Sequence, residues 1–147
     1  MRMLPIASLL FTGCLLSGAA PAPRTETHPL TVVVTSLAST SSTVKLFFYN
    51  TSEGFLKSGK WAYSKAVKPN GKNQILLTVE LPSGDWAVSL TQDINNNNKI
   101  DKNFLGIPTE PYAFSNNVRP TVAVPKFEEC KFKVDGPGRV VSIVLKK

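Results

Sequence analysis

The sequence predicts an all-β fold, an antiparallel two-sheet sandwich of about seven strands with a long loop at residues 93–118. Three observations predict it. β-Branched and aromatic runs recur with a period of two. Clusters of Gly, Pro, Asn and Asp separate those runs. No long stretch carries the 3.6-residue period that a crossover helix between parallel strands would need. Short strands joined in this way suit an immunoglobulin-like or transthyretin-like sandwich, with a small barrel as the other way to close the sheet.

The elements follow in order. Residues 30–37 (LTVVVTSL) and 43–50 (TVKLFFYN) are β-branched and aromatic, with a Ser/Thr-rich turn between them. Residues 61–68 form a third strand. Asn70-Gly71 then accepts the positive φ angles of a tight hairpin. In the next run Ile75, Leu77, Val79 and Leu81 share one face and Gln74, Thr78 and Glu80 the other, with Leu76 out of pattern. Pro82-Ser83-Gly84 turns the chain into a strand where Trp86, Val88 and Leu90 alternate with Ala87, Ser89 and Thr91. Cys130, Phe132 and Val134 alternate with Glu129, Lys131 and Lys133. After the turn at Asp135-Gly136-Pro137-Gly138, residues 140–145 close the domain. Gly54-Phe55-Leu56 reads as one helical turn, and Trp61 and Trp86 read as core.

A chain of 147 residues has room for one domain, and an apolar fraction of 42% supports a packed core. The start of the chain reads as an address. Met1-Arg2 precedes a short, interrupted apolar run with small residues after it, which is the pattern of a secretory signal peptide over residues 1–19. The run is too short for a membrane-spanning helix. Phe11-Thr12-Gly13-Cys14 offers a second cleavage, before Cys14, with a lipid anchor on that cysteine. Residues 20–29 are then a proline-bearing tether and residues 30–147 the sandwich. The expected location is outside the cytoplasm: periplasmic, envelope-associated or extracellular. With Cys14 removed or lipidated, Cys130 is left single and reads as a small buried hydrophobe. One histidine, His28, and two cysteines argue against a Cys/His zinc site and against a histidine-dependent triad.

The net charge is +7, with lysines at 126, 131, 133, 146 and 147. A lysine stripe on neighbouring strands would suit anionic headgroups or acidic glycans, and it would also protect a sheet edge from pairing. No recognised nucleic-acid-binding motif is present, so nucleic acid is not an expected partner. The expected partner is a ligand or protein of the envelope or extracellular space.

The chemistry-bearing residues lie in the long connection. Asp93, Asn95, Asn97 and Asp101 occupy positions 1, 3, 5 and 9 of a calcium-loop pattern, and the backbone carbonyl of Lys99 falls at 7. Alternate residues turn inward in such a loop, so hard oxygen donors converge on one ion. Asn98 stands where glycine is usual and tolerates the left-handed conformation. Position 12 is Phe104 rather than a bidentate Glu, and Glu110 is the candidate for a further carboxylate. The implied cofactor is calcium, held with modest affinity because ligand charge is low. Ile94 and Ile100 are expected to pack the loop onto the sandwich. Phe104, Tyr112 and Phe114 are expected to anchor it, their other use being a platform for a sugar or peptide.

The run from Asp93 through Asn103 to Phe104-Leu105-Gly106-Ile107-Pro108-Thr109-Glu110-Pro111-Tyr112-Ala113-Phe114-Ser115-Asn116-Asn117 resembles the domain-of-unknown-function 2141 family of exported bacterial proteins. The family pattern is D-x-N-x-N-G-K-x-D-x-N followed by G-x-P-x-E-G-Y-G-F-S-N-N. Asn98, Pro111 and Ala113 replace three of its glycines. The likeness extends to residues 47–55, 81–88 and 125–132. It implies an exported sandwich and no established activity.

Two function classes follow. One is a non-catalytic ligand- or partner-binding module working through the long loop, which calcium stiffens. The other is a hydrolase of envelope or extracellular glycans using Asp93, Asp101 or Glu110 as acid and base, which requires a carboxylate pair across a cleft. The sequence has neither a glycine-rich phosphate loop nor a serine elbow.

Overall fold

The computed structural model describes residues 25–145. The leader at residues 1–19, the cleavage at Cys14, and Lys146 and Lys147 lie outside the described residues. Among the described residues eight strands form: β1 (Thr27–Thr35), β2 (Thr43–Tyr49), β3 (Tyr63–Val67), β4 (Ile75–Pro82), β5 (Gly84–Asp93), β6 (Tyr112–Phe114), β7 (Phe132–Val134) and β8 (Arg139–Val144). They make two sheets. The first has the order β4-β1-β8 and the second β3-β2-β5-β6, with β7 paired to β5 beyond the end of β6.

Alternation sets the core. Leu30, Val32 and Val34 of β1, Val44, Leu46 and Phe48 of β2, and Trp86, Val88 and Leu90 of β5 face inward and meet between the sheets. Each is at most 4% exposed, and burying such side chains is the main force holding the sheets together. Leu76 is 64% exposed, as its place out of pattern requires.

The differences from expectation lie in connectivity. β1 starts at Thr27, so pairing with β4 reaches into the segment expected to be a tether. β1 and β8 run parallel, from Leu30 opposite Arg139 to Thr35 opposite Val144, where an all-antiparallel arrangement was expected. Asn70 and Gly71 do take positive φ, 52° and 82°. The turn they make joins β3 of one sheet to β4 of the other, so it is a crossing between layers and not a hairpin. Ser83 alone separates β4 from β5. Gly84, at φ 143°, bends the chain across the sandwich edge, and Trp86 Nε1 donates to the Pro82 carbonyl at 2.9 Å beneath it. Residues 52–57 form overlapping turns rather than a helix, with Phe55 N–H donating to Ser52 O and Lys57 N–H to Gly54 O.

The stretch before β7 corrects a larger point. Residues Phe127–Cys130 are a short helix, α1, so Cys130 does not share a strand face with Phe132 and Val134. Glu129 closes the turn by accepting the Lys126 N–H at 2.6 Å. Cys130 is nonetheless fully buried, in a second cluster with Tyr49, Phe55, Ala87, Phe114 and Phe127 on the outer face of the five-stranded sheet. Trp61 is half-buried against that cluster and not in the inter-sheet core. Burial, helped by the neighbouring Glu129, pushes the Cys130 thiol up to about 12. The expected result is that a bulky maleimide leaves the folded protein unlabelled at pH 8 and reacts after denaturation. Rapid labelling of the native state would contradict this placement.

Ser115-Asn116-Asn117 locks the second cluster in place. The Ser115 hydroxyl donates to Cys130 O at 2.6 Å and accepts the Val88 N–H at 2.9 Å. Asn116 donates to the Glu129 and Lys131 carbonyls, and Asn117 bridges Ser142 O and Val144 N–H. Three consecutive polar side chains thus tie β5, α1 with its C-cap Lys131, and β8 together. Both asparagines take positive φ, 58° and 52°.

Candidate functional site

The 93–111 loop leaves the sheet at Asp93, the last residue of β5, which is 1% exposed. A carboxylate so placed needs partners. Lys45 of β2 reaches its Oδ2 at 3.1 Å, and the backbone N–H groups of Asn97 and Asn98 donate to Oδ1 and Oδ2 at 3.1 and 2.8 Å. Asn96 and Asn98 take φ of 56° and 63°, the left-handed turns that let the backbone curl over the carboxylate. Asn98 therefore does at its position what the glycine of the resembled pattern would do.

The other predicted residues gather around this turn. Asn95 Oδ1 accepts the Asn97 N–H at 3.1 Å, and Asn97 Oδ1 accepts the Lys99 N–H at 2.8 Å. Both amide groups donate to Asp101 Oδ2, each at 2.7 Å. Asp93, Asn95, Asn97 and Asp101 thus form one connected cluster. Glu110 closes it from below: it is 7% exposed, its Oε1 accepts the Ile94 N–H at 3.0 Å, and its Oε2 is buried with no partner. Among the described residues no group of three or more His, Cys, Asp or Glu side chains is gathered as a metal site. An ion here would rely on the amide oxygens of Asn95 and Asn97, which would turn from the backbone N–H groups they now accept. Lys99 is exposed on the rim.

Two carboxyls of this cluster are shifted in opposite directions. Burial pushes Asp93 up, but the Lys45 ammonium and the N–H groups of Asn98 and Asn97 outweigh it and hold Asp93 below its ordinary value. Burial pushes Glu110 up, against the N–H groups of Ile94 and Asp101, and the charges of Asp93 and Asp101 push it further. The contribution of protonated Glu110 to stability is complete below the ordinary carboxyl range and is lost as pH rises through its raised native value.

The packing residues divide. Tyr112 and Phe114 form β6 and stack edge-on at 5.7 Å over the sheet, as anchors should. Phe104 is 95% exposed and anchors nothing, and Ile94 and Ile100 are 42% and 39% exposed, so they do not pin the loop as expected. The loop is held instead by its own polar groups: Asn103 Oδ1 accepts the N–H groups of Leu105 and Ile107, both at 3.0 Å.

Between the loop and the outer face of the five-stranded sheet lies a cleft of about 1210 Å³. Its floor is read from the strand register. Lys45, Thr91 and Tyr112 form one row across β2, β5 and β6, and Phe47, Ser89 and Phe114 the next. Phe47 stacks on Trp61 at 4.8 Å to build one wall. The roof comes from residues 98–108 and 120–125, including Ile100, Leu105, Ile107, Val122 and Val124. Neither Asp93, Asp101 nor Glu110 lines it, and no other carboxylate does. The stripe expected at 126, 131 and 133 is partly neutralised, because Lys131 pairs with Asp85 at 3.1 Å and Glu128 at 2.6 Å.

Sequence reasoning missed the cleft. Ser89 and Thr91 alternate outward from a buried strand and read as solvent-facing, yet they are only 9% and 8% exposed. The available signal was the length of the connection, since a long loop in a compact domain commonly covers something.

Among the described residues no helix is long and apolar enough to cross a membrane. No curated protein matches the chain, and no solved structure matches it. One family does match, from the centre of β1 into β8, and so takes in the sheets, the Asn-rich loop and the Ser115-Asn116-Asn117 lock together. This chain belongs to the family of uncharacterised proteins conserved in bacteria (DUF2141), whose model matches residues 32–142.

Proposed function

We propose that this protein is a non-catalytic binding module, exported to the bacterial envelope or beyond, that takes a ligand in the cleft over its five-stranded sheet. The observation that carries the reading is the lining of the cleft: aromatic and aliphatic side chains with a few polar groups, and no carboxylate, histidine or cysteine. That is the make-up of a binding pocket, and it lacks the acid–base pair that hydrolysis of a glycosidic bond requires. The apolar leader over residues 1–19 supports export.

Native mass spectrometry of the purified chain, incubated with a solvent extract of bacterial envelope, tests binding. A noncovalent adduct is expected in the wild type and not in Ala123→Trp, which fills the cleft from an exposed loop position. No adduct in the wild type, or an undiminished one in the variant, refutes the reading. Intact-mass measurement on protein from the native envelope should show loss of the leader, and a lipid-modified Cys14 would select the lipoprotein form.

Calcium completes the proposal. Asp93, Asn95, Asn97 and Asp101 are close enough to share hydrogen bonds, and the bare Oε2 of Glu110 beside two other carboxylates is a charge that a cation would offset. A ligand that binds only the native state at a hundredfold excess over its Kd stabilises it by about 2.7 kcal/mol. For a domain of this size that is a rise in Tm on the order of 10 °C. Millimolar calcium against chelator is the measurement. Asp101→Asn should abolish the rise, and Asn96→Gly should keep it, because the Asn96 side chain falls between the ligand positions. A wild-type melting curve that calcium leaves unmoved would mean that the loop is an ion-free turn.

A further inference from the structure

We propose that the occupant of the cleft is a single-chain amphipathic anion, an acyl chain ending in a carboxylate. The inference rests on the reading of the cleft as a binding site and names the chemistry of its ligand.

The floor is polarised along β5. At the end next to the Asn-rich loop stand Lys45 and Thr91, and beyond them Phe47, Phe114 and the Trp61 wall. Thr91 is only 8% exposed, and its hydroxyl has no hydrogen-bond partner. A buried hydroxyl left unmade is unfavourable, and a carboxylate oxygen would accept its proton. Charge points the same way. Lys45, Lys57, Lys99 and Lys102 line the cleft and no acidic residue does. Of these four, only Lys45 has an ion-pair partner among the described residues. A neutral ligand would leave the charges of Lys57, Lys99 and Lys102 unanswered.

The roof supplies the apolar half. Leu105, Ile107, Val122 and Val124 are 68%, 49%, 97% and 75% exposed, an uncovered set of aliphatic side chains on two loops that face one cleft. An acyl chain lying between them and the Phe47–Trp61 wall covers both. The volume of about 1210 Å³ exceeds what a compact drug-sized ligand fills, and leaves room for a long chain. A sugar fits less well. It asks for many amide and carboxylate partners, and the lining has one side-chain amide, Asn98.

Titration calorimetry of the full chain with octanoate, decanoate and dodecanoate, below their micellar concentrations, is the test. Affinity should rise about fourfold per added methylene, the gain expected when each is buried. Methyl dodecanoate, with the same chain and no charge, should bind at least about tenfold more weakly, since a charge-assisted contact is lost. Lys99→Glu/Lys102→Glu and Thr91→Val should each weaken dodecanoate while leaving the methyl ester unchanged. Equal binding of acid and ester overturns the anionic head, and affinity independent of chain length overturns the acyl tail. Tighter binding of dodecyl phosphate than of dodecanoate overturns the carboxylate. Silence toward all these probes, with maltohexaose or an extended peptide binding in a manner that Ala123→Trp blocks, overturns the ligand class and leaves the binding module standing. Silence together with no adduct from envelope extract removes both.

Discussion

Asp93→Ala is expected to lower the stability of the domain by about 3 kcal/mol in calcium-free buffer, the largest effect of any single change in the loop. The carboxylate is 1% exposed and serves three donors at once: the Lys45 ammonium at 3.1 Å and the N–H groups of Asn97 and Asn98. Alanine leaves the Lys45 ammonium and the Asn98 N–H without an acceptor and leaves the Asn97 N–H only Asn95 Oδ1. Lys45 keeps 15% of its side chain in water and can reorient outward, which holds the loss near the lower end of the range for broken buried pairs. A Tm lower by on the order of 10 °C is the readout. Acid titration gives a second one. The native carboxyl of Asp93 lies below its ordinary value, so its contribution is complete above the ordinary carboxylate range and fades as pH falls through the lowered native value. Asp93→Asn lacks that contribution at every pH, so the stability gap between wild type and variant should narrow below about pH 4. A gap that stays constant to pH 2, or a variant as stable as wild type at neutral pH, would show that the Lys45–Asp93 pair holds nothing.

This prediction also separates structure from ion binding at one residue. Asp93 would be a metal ligand on one reading, and on either reading it organises the turn. Asp101, half-buried and held only by two amide groups, carries the calcium test without the same structural burden.

What was legible in the sequence was whatever a period of two can encode. β1, β2, β4 and β5 lie where alternation places them, because one face of each meets the opposite sheet and must be apolar. The turn at Asn70-Gly71 was legible as a pair of positive φ angles but not as a change of sheet, since turn chemistry fixes local dihedrals and not which layer the next strand joins. The parallel partnership of β1 and β8 has no local signature at all. The strand expected through Cys130 failed for a specific reason. Cys130, Phe132 and Val134 do alternate, but Pro125 and the Lys126–Glu129 cap start a helical turn that consumes Cys130 before the strand begins. In the loop, Asp93, Asn95, Asn97 and Asp101 share hydrogen bonds, because the sequence distance between them is short enough for turn geometry to decide. The cleft was illegible because its floor comes from three strands and its roof from two loops distant in sequence.

Gln92→Leu should cost about 3–4 kcal/mol, and it is the sharpest test of how the two sheets are held at the loop end. Gln92 is on the inward face of β5, in line with Trp86, Val88 and Leu90, and is 0% exposed. Pattern alone would put an aliphatic residue there, and leucine matches its size. Yet the amide is fully used. Oε1 accepts the N–H groups of Ala38 and Ser39 at 2.8 and 3.3 Å, and Nε2 donates to the carbonyls of Ser39 and Ser42 at 2.6 and 3.2 Å. One side chain therefore stands in for the missing backbone partners of the turn between β1 and β2, where Ser36 already takes a φ of 59°. Leucine would gain some apolar burial but strip two donors and two acceptors of their partners, and water can reach only part of that turn. The loss should appear as a lower urea midpoint at unchanged slope, with faster amide exchange confined to residues 36–42. Gln92→Glu should fall between wild type and leucine, because a carboxylate still accepts from Ala38 and Ser39 but faces the two carbonyls with no proton to give. A leucine variant within 1 kcal/mol of wild type would mean that apolar packing alone holds this end of the sandwich.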